Sequence, residues 1–265
     1  MFDSFTLNDL SEKKSFNEIL SGILAQVKTK PSDSVLRELL FKLYCIDGLW
    51  DKALLQLDIM KLLDDSLKKR AELYKNLTFS ELLRNDVLSG KNKAGALDIQ
   101  FPEWVETLHQ ANVSFGKNDL DNSNALRDRA FELAPESTGN GTITGDFSWI
   151  SDSDGRVGPI CEFISAGGYR WVPFSMIQSF EVPKPKNLLD LIWAPAQLKI
   201  ENNIYYGFIP SRYPVATNSE QNIKLGLVTE WNEVSAGFSV ANGRKTFITD
   251  NGDYSLLELD QVTIF

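Results

Sequence analysis

"LRELLFKLYCIDGLWDKALLQLDIMKLLD", residues 36–64, decides the reading of the first half of the chain. Leu36, Leu39, Leu40 and Leu43 recur at i, i+3, i+4 and i+7, so all four share one face of a helix that begins after the "PSDS" start signal at 31–34. "DGLW" then breaks the pattern, and Trp50, Ala53, Leu54 and Leu57 restart it on a second helix. The stretch reads as an antiparallel helical hairpin whose apolar faces meet. Farther on, Trp104, Leu108, Ala111 and Phe115 lie on a helix entered through Pro102, and after Gly116 a further helix carries Ala125, Ala130 and Pro135. The five-residue steps from Gly48 to Ala53 and from Ala130 to Pro135 also occur in tetratricopeptide repeats. Neither hairpin has the whole repeat signature, so a degenerate repeat-like superhelix and an irregular helical bundle both remain open.

Composition changes near residue 137. Residues 1–137 hold 5 Gly, 3 Pro and 40 charged residues, whereas 138–265 hold 12 Gly, 7 Pro and 23 charged residues. Charge thins as turn formers accumulate, which marks a helical part followed by a β-rich part. "PESTGNGTITGD", residues 135–146, reads as a linker or long loop. Beyond it, "YRWVPF", "AQLKIENN", "IYYGFIP", "GLVTEWNEV" and "YSLLELDQVTIF" are short apolar runs between turns, as in a twisted antiparallel sheet. In "IENNIYY" the tight turn is expected at Asn202 and Asn203, and "TDNGDY" offers another at its Asn-Gly pair. The fold class expected is α+β: an all-α repeat-like domain over 1–137 and a mainly antiparallel β (α/β) domain over 138–265.

The 265 residues suffice for about two domains with ample cores. With only Cys45 and Cys161, one in each half, a disulfide framework is not expected, and a reducing, cytoplasmic setting is. "MFDSFTLNDLSEKK" at the start is acidic and has no continuous apolar run, so it reads as neither secretory signal nor membrane span. A net charge of −9 with scattered lysines and arginines argues against nucleic acid as a partner.

"FSWISDSDGRVGP", residues 147–159, has the look of a calcium loop. Counting from Asp152, however, the third position is Asp154, glycine falls at the fourth, Arg156 at the fifth and Phe163 at the twelfth, where an EF-hand needs a glycine at the sixth and a bidentate glutamate at the twelfth. A polar turn is the expectation. His109, the only histidine, is expected on the polar flank of its helix, which leaves no triad and no two-histidine metal site. No phosphate loop, dinucleotide fingerprint or Cys-x-x-Cys occurs, and neither metal nor cofactor is expected. Asp152, Asp154 and Glu162 are the carboxylates available for a glycosidase-like pair.

"LLFKLYCIDGLWDKALLQLD", "FSWISDSDGRVGPICEFISAGGYRWVPF", "LLDLIWAPAQL", "IPSRYP", "LVTEWNEV" and "TDNGDYSLLELDQVTIF" follow one another from about residue 32 to the C-terminus. In order and wording they resemble the ImpE/TagJ (SciE-type) accessory proteins of bacterial type VI secretion. Leu189-Asp190-Leu191, Val215-Ala216 and "ANGRKTF" depart from the family's usual wording. The resemblance implies a repeat-like helical domain, a family-specific α/β domain and a non-enzymatic cytoplasmic role. It also implies a partner, the small contractile-sheath subunit (TssB-like) bound through a helix near its N-terminus, and indirectly the ClpV ATPase. The motif positions carried over as candidates are Asp152, Asp154, Arg156, Gly158, Pro159, Tyr169, Trp171, Pro173, Phe174, Arg212, Tyr213, Pro214, Glu230 and Trp231. Phe41 and Tyr44 are expected as exposed anchors for the partner helix, in the superhelix groove or at the junction of the domains. An enzyme or small-ligand binder built on Asp152, Asp154, Arg156 and Arg212 is the competing expectation; for the motif positions as a whole the structural reading is that glycines and prolines fix turns, tryptophans fill the core, and Asp154 pairs with Arg156 or Arg212 to orient loops.

Overall fold

A computed structural model describes residues 15–98 and 100–265, so the reading of the first fourteen residues lies outside the described part. Helix α1 (Phe16–Thr29) starts on a capping box in which Ser15 and Glu18 satisfy each other's amides. Asp33 caps α2 (Ser34–Asp47) by accepting from the amides of Val35 and Leu36, and Gly48, at φ 74°, ends it. Helix α3 (Trp50–Leu63) returns along α2 and buries Ala53 and Leu57, while α2 buries all four leucines of the predicted face. A 21-residue helix, α4 (Lys68–Leu88), precedes the second hairpin, α5 (Glu103–Gly116) and α6 (Leu120–Leu133).

Thirteen strands follow among the described residues: β1 (Gly139–Gly141), β2 (Gly145–Phe147), β3 (Ile150–Asp152), β4 (Ile160–Ser165), β5 (Gly168–Pro173), β6 (Ser179–Glu181), β7 (Trp193–Ile200), β8 (Asn203–Pro210), β9 (Thr229–Ser235), β10 (Phe238–Gly243), β11 (Thr246–Thr249), β12 (Gly252–Ser255) and β13 (Gln261–Ile264), with a one-turn α7 (Gln221–Lys224) before β9. They form an eight-stranded sheet in the order β2-β1-β13-β6-β7-β8-β4-β5, a three-stranded sheet β12-β11-β3 and the ribbon β10-β9. All these pairings are antiparallel. The connection after α4 also touches the large sheet, where Trp171 donates its amide to the carbonyl of Gly95.

Two expectations fail in detail. Residues 135–146 are not a linker: they contain β1 and enter β2, at one edge of the large sheet. The glycines that suggested a loop are what lets the strand fit, because a Cβ on Gly139 would meet the Thr263 carbonyl oxygen at 2.2 Å. The β7–β8 turn sits one residue earlier than read, on Glu201 and Asn202, with Ile200 paired to Asn203 and Glu201 at φ 53°. Register here follows burial of Leu198 and Ile200 rather than the asparagine preference.

Apolar packing crosses from helices to sheet. One cluster joins α1–α5 to Trp171 and Trp193. The other fills the space between the sheets with Phe163, Phe174, Phe180 and Phe247. Each such side chain, fully buried, contributes ~1.5–3 kcal/mol.

Candidate functional site

The 152–158 loop closes on its own side chains. Asp152 accepts the Asp154 amide at 2.9 Å, and Asp154 accepts the Arg156 amide at 2.9 Å and its guanidinium at 2.6 Å. Asp154 also receives the amide of Ala241 on β10. The carboxylates are therefore spent on the turn, with a guanidinium where a cation would need ligands. Helices α5 and α6 hold the loop from the other side. Arg127 donates to the Gly155 carbonyl at 2.7 Å and stacks on Phe238, 3.6 Å from the ring centre, while Asn112 donates to the Arg156 carbonyl. Gly158, at φ 55°, lies against Phe131 so closely that a Cβ would meet the ring at 2.4 Å.

Behind the loop lies a buried ionic network. From α4, Arg84 grips Glu162 of β4 in a two-pronged pair at 2.7 and 2.8 Å, and its third nitrogen donates to the Arg212 carbonyl. Glu81, one turn earlier on α4, flanks Arg84 and accepts the Trp193 indole N–H at 3.0 Å. Tyr169 donates its hydroxyl to Glu162 and receives the Trp171 indole N–H. The Lys245 ammonium lies between Glu162 and Asp152 and contacts both. Tyr213 completes the chain, donating to Asp152 and meeting Ser153, which accepts the indole N–H of Trp231 at the surface. Polar contacts thus run unbroken from α4 to the ribbon β9–β10.

Charge compensation decides how these groups titrate. Burial pushes Glu162 up, but Arg84 and Lys245 outweigh it and hold the carboxyl well below the usual range. For Asp152 burial wins over Lys245, with Glu162 and Asp154 adding repulsion, and its pKa is raised to about 6. Burial also pushes the thiols of Cys45 and Cys161 up, away from nucleophilic chemistry.

These positions correct several expectations. Phe41 and Tyr44 are not exposed anchors but core: α2 is enclosed, with Phe41 stacked on Tyr74 of α4 at 5.1 Å. Trp171, Phe174 and Tyr213 are interior as well, as are Tyr169 and Pro173. Arg212 does not pair with Asp154. It reaches back to cap α2, donating to the carbonyls of Cys45 and Ile46 at 2.6 and 2.7 Å, where a cation at a helix C-terminus is favourable. Glu162 is wholly buried against cations, so the glycosidase-like pairing fails, and of Asp152, Asp154, Arg156 and Arg212 only Asp152 lines the cleft described below. His109 is buried rather than on a polar flank, next to the connection that Lys93 ties to Glu106, and burial lowers its pKa. Of the candidates, Glu230 and Trp231 on β9 are the exposed ones. Glu81, Arg84, Arg127 and Lys245, which sequence reasoning missed, have as their only signal the juxtaposition of charge with apolar neighbours.

Two accessible features of the described residues bear on recognition. On α3, Leu55, Ile59 and Leu62 recur at i, i+4 and i+7, with Leu62 87% exposed. Lys61–Glu72 and Lys75–Asp58 ion pairs join this face to that of Phe79 on α4. At the junction of helices and sheets, a cleft of about 660 Å³ lies between the end of α6, β3 and the β9–β10 ribbon. Asp152 lines it, but only 2% exposed and engaged as described.

Residues 144–263 match the model of the ImpE protein family. The chain is 33% identical over 248 residues to the type VI secretion system accessory component TagJ of Pseudomonas aeruginosa, across 93% of this chain and 86% of that protein. An X-ray structure of a Vibrio parahaemolyticus protein shares the fold with a TM-score of 0.87 at 25% identity, covering 97% of this chain and 96% of the other.

Proposed function

Since this chain belongs to the ImpE/TagJ family, we propose that it is a non-enzymatic accessory protein of type VI secretion, acting in the cytoplasm as an adaptor for a helix near the N-terminus of the small sheath subunit and, through it, assisting the ClpV ATPase in sheath recycling. The observation that carries the accessory role is the 33% identity to TagJ over nearly the whole chain. A non-catalytic role is supported by the network, whose carboxylates are buried against cations instead of facing a cleft. No helix among the described residues is long and apolar enough to cross a membrane. We take residues 1–137 as the partner-binding unit and 138–265 as the unit that braces it through Glu162, which holds Arg84, and Arg212.

The docking face we assign is the outer side of α3 and α4. Leu55, Ile59 and Leu62 present apolar side chains at the spacing that receives an amphipathic helix, and Phe79 flanks them. A peptide covering the N-terminal helix of the cognate small sheath subunit should bind the full chain with a Kd in the micromolar range or tighter, worth about 8 kcal/mol. Basic residues on its polar face should quicken association with an acidic protein and make it salt-sensitive. Leu55→Asp with Leu62→Asp should abolish binding and leave the fold intact, since both side chains are exposed. Titration calorimetry showing no heat, together with no competition against the full-length subunit, would refute the adaptor reading; binding that survives the double substitution would refute the face.

A further inference from the structure

We propose that the junction cleft is a second recognition site, which takes an arginine-bearing segment of a partner protein. It goes beyond the adaptor reading and shares no residue with the α3–α4 face. Three properties of the lining agree. Trp149 and Trp231 are 39% and 46% exposed and stand in the same cleft, offering indole faces of the kind on which guanidinium groups stack. Glu136 and Asp253 add exposed carboxylates that have no ion-pair partner among the described residues, and no lysine or arginine lines the walls. Helix α6 ends at this cleft, with Phe131 and Ala134 in its wall, so the partial negative charge of its C-terminus lies beside the same space. Each property favours a cation and none favours an anion.

The shape extends the argument from a cation to a side chain with apolar neighbours. At about 660 Å³ and open to solvent, the cleft falls in the size range of sites that bury a ligand of several groups, ~300–1,000 Å³. Phe131 and Pro159 form apolar wall beyond the indoles. Trp231 is held by its bond to Ser153, which Tyr213 in turn meets, so this indole is in place before any ligand arrives.

The test uses the full chain with two acetylated, amidated tripeptides, leucine-arginine-leucine and its neutral isostere leucine-citrulline-leucine, read through the indole N–H resonances of Trp149 and Trp231. The arginine peptide should shift both resonances saturably at low salt, and the citrulline peptide should bind at least about tenfold more weakly. Glu136→Gln with Asp253→Asn should weaken the arginine peptide by about tenfold or more; both carboxylates are exposed, so the fold is not at stake. Equal shifts from the two peptides, no shift at all, or binding unchanged in the double variant would overturn the proposal. Acetyl-arginine-methylamide binding as tightly as the tripeptide would overturn the peptide assignment in favour of a small-cation site.

Discussion

Arg84 and Glu162 form a two-pronged ion pair, at 2.7 and 2.8 Å, between helix α4 and strand β4, with both side chains buried. Such a pair contributes little net stability over an apolar replacement, because desolvation offsets attraction, but removing Arg84 alone leaves Glu162 with only Lys245 and Tyr169 and takes the cation from Glu81. Arg84→Met should therefore cost ~3–5 kcal/mol in urea unfolding, and Arg84→Met combined with Glu162→Leu should cost clearly less than the sum of the single changes. Additive losses would show that the two residues act independently.

Stability should depend on pH through Asp152. Its folded pKa is raised from 3.8 to about 6 by burial, so between those values the native carboxyl holds a proton that the unfolded chain has released. Stability from this group therefore falls as pH rises through that window. Glu162 acts in the opposite sense: its depressed pKa contributes stability above the unfolded value of 4.5, lost as pH falls below it. Asp152→Asn should remove the first effect, so its stability relative to the unchanged protein should improve as pH rises from 4 to 7. Parallel pH profiles in urea titrations would count against this assignment.

Cys45 and Cys161 should be inert. Both are fully buried with raised thiol pKa values. A thiol reagent at pH 8 should label neither in the folded protein and both after unfolding. Replacing either by Ala should cost ~1–2 kcal/mol and leave binding of the sheath-subunit peptide unchanged. Rapid labelling of the native chain would contradict the burial.

The helical hairpins were legible because their signals are local: the leucine spacing of α2, the Asp33 cap and the stop at Gly48 all lie within eighteen residues. So was the Asp152–Arg156 turn, whose bonds span two residues. Phe41 and Tyr44 misled because α2 is apolar on more than one face, and helical periodicity shows which residues share a face without showing what covers the others. Arg84 meets Glu162, Arg212 meets the Cys45 carbonyl and Lys245 meets Glu162 across 78, 167 and 83 positions, and nothing at either end of such a pair marks the other. The motif words that carried the family resemblance proved to be largely this interior network, in Glu162, Tyr169, Trp171, Trp193, Arg212 and Tyr213.

The cap that Arg212 places on α2 bears on how the protein is made. Its target carbonyls at Cys45 and Ile46 leave the ribosome 167 and 166 residues ahead of it, an interval on the order of 10 s at ordinary translation speeds. Arg84 likewise waits 78 residues for Glu162. During that interval the nascent helices carry an α2 terminus without its arginine cap and a guanidinium matched by Glu81 alone. Vectorial synthesis therefore leaves these contacts to a late stage of folding, after the segments bearing Glu162, Arg212 and Lys245 have cleared the exit tunnel.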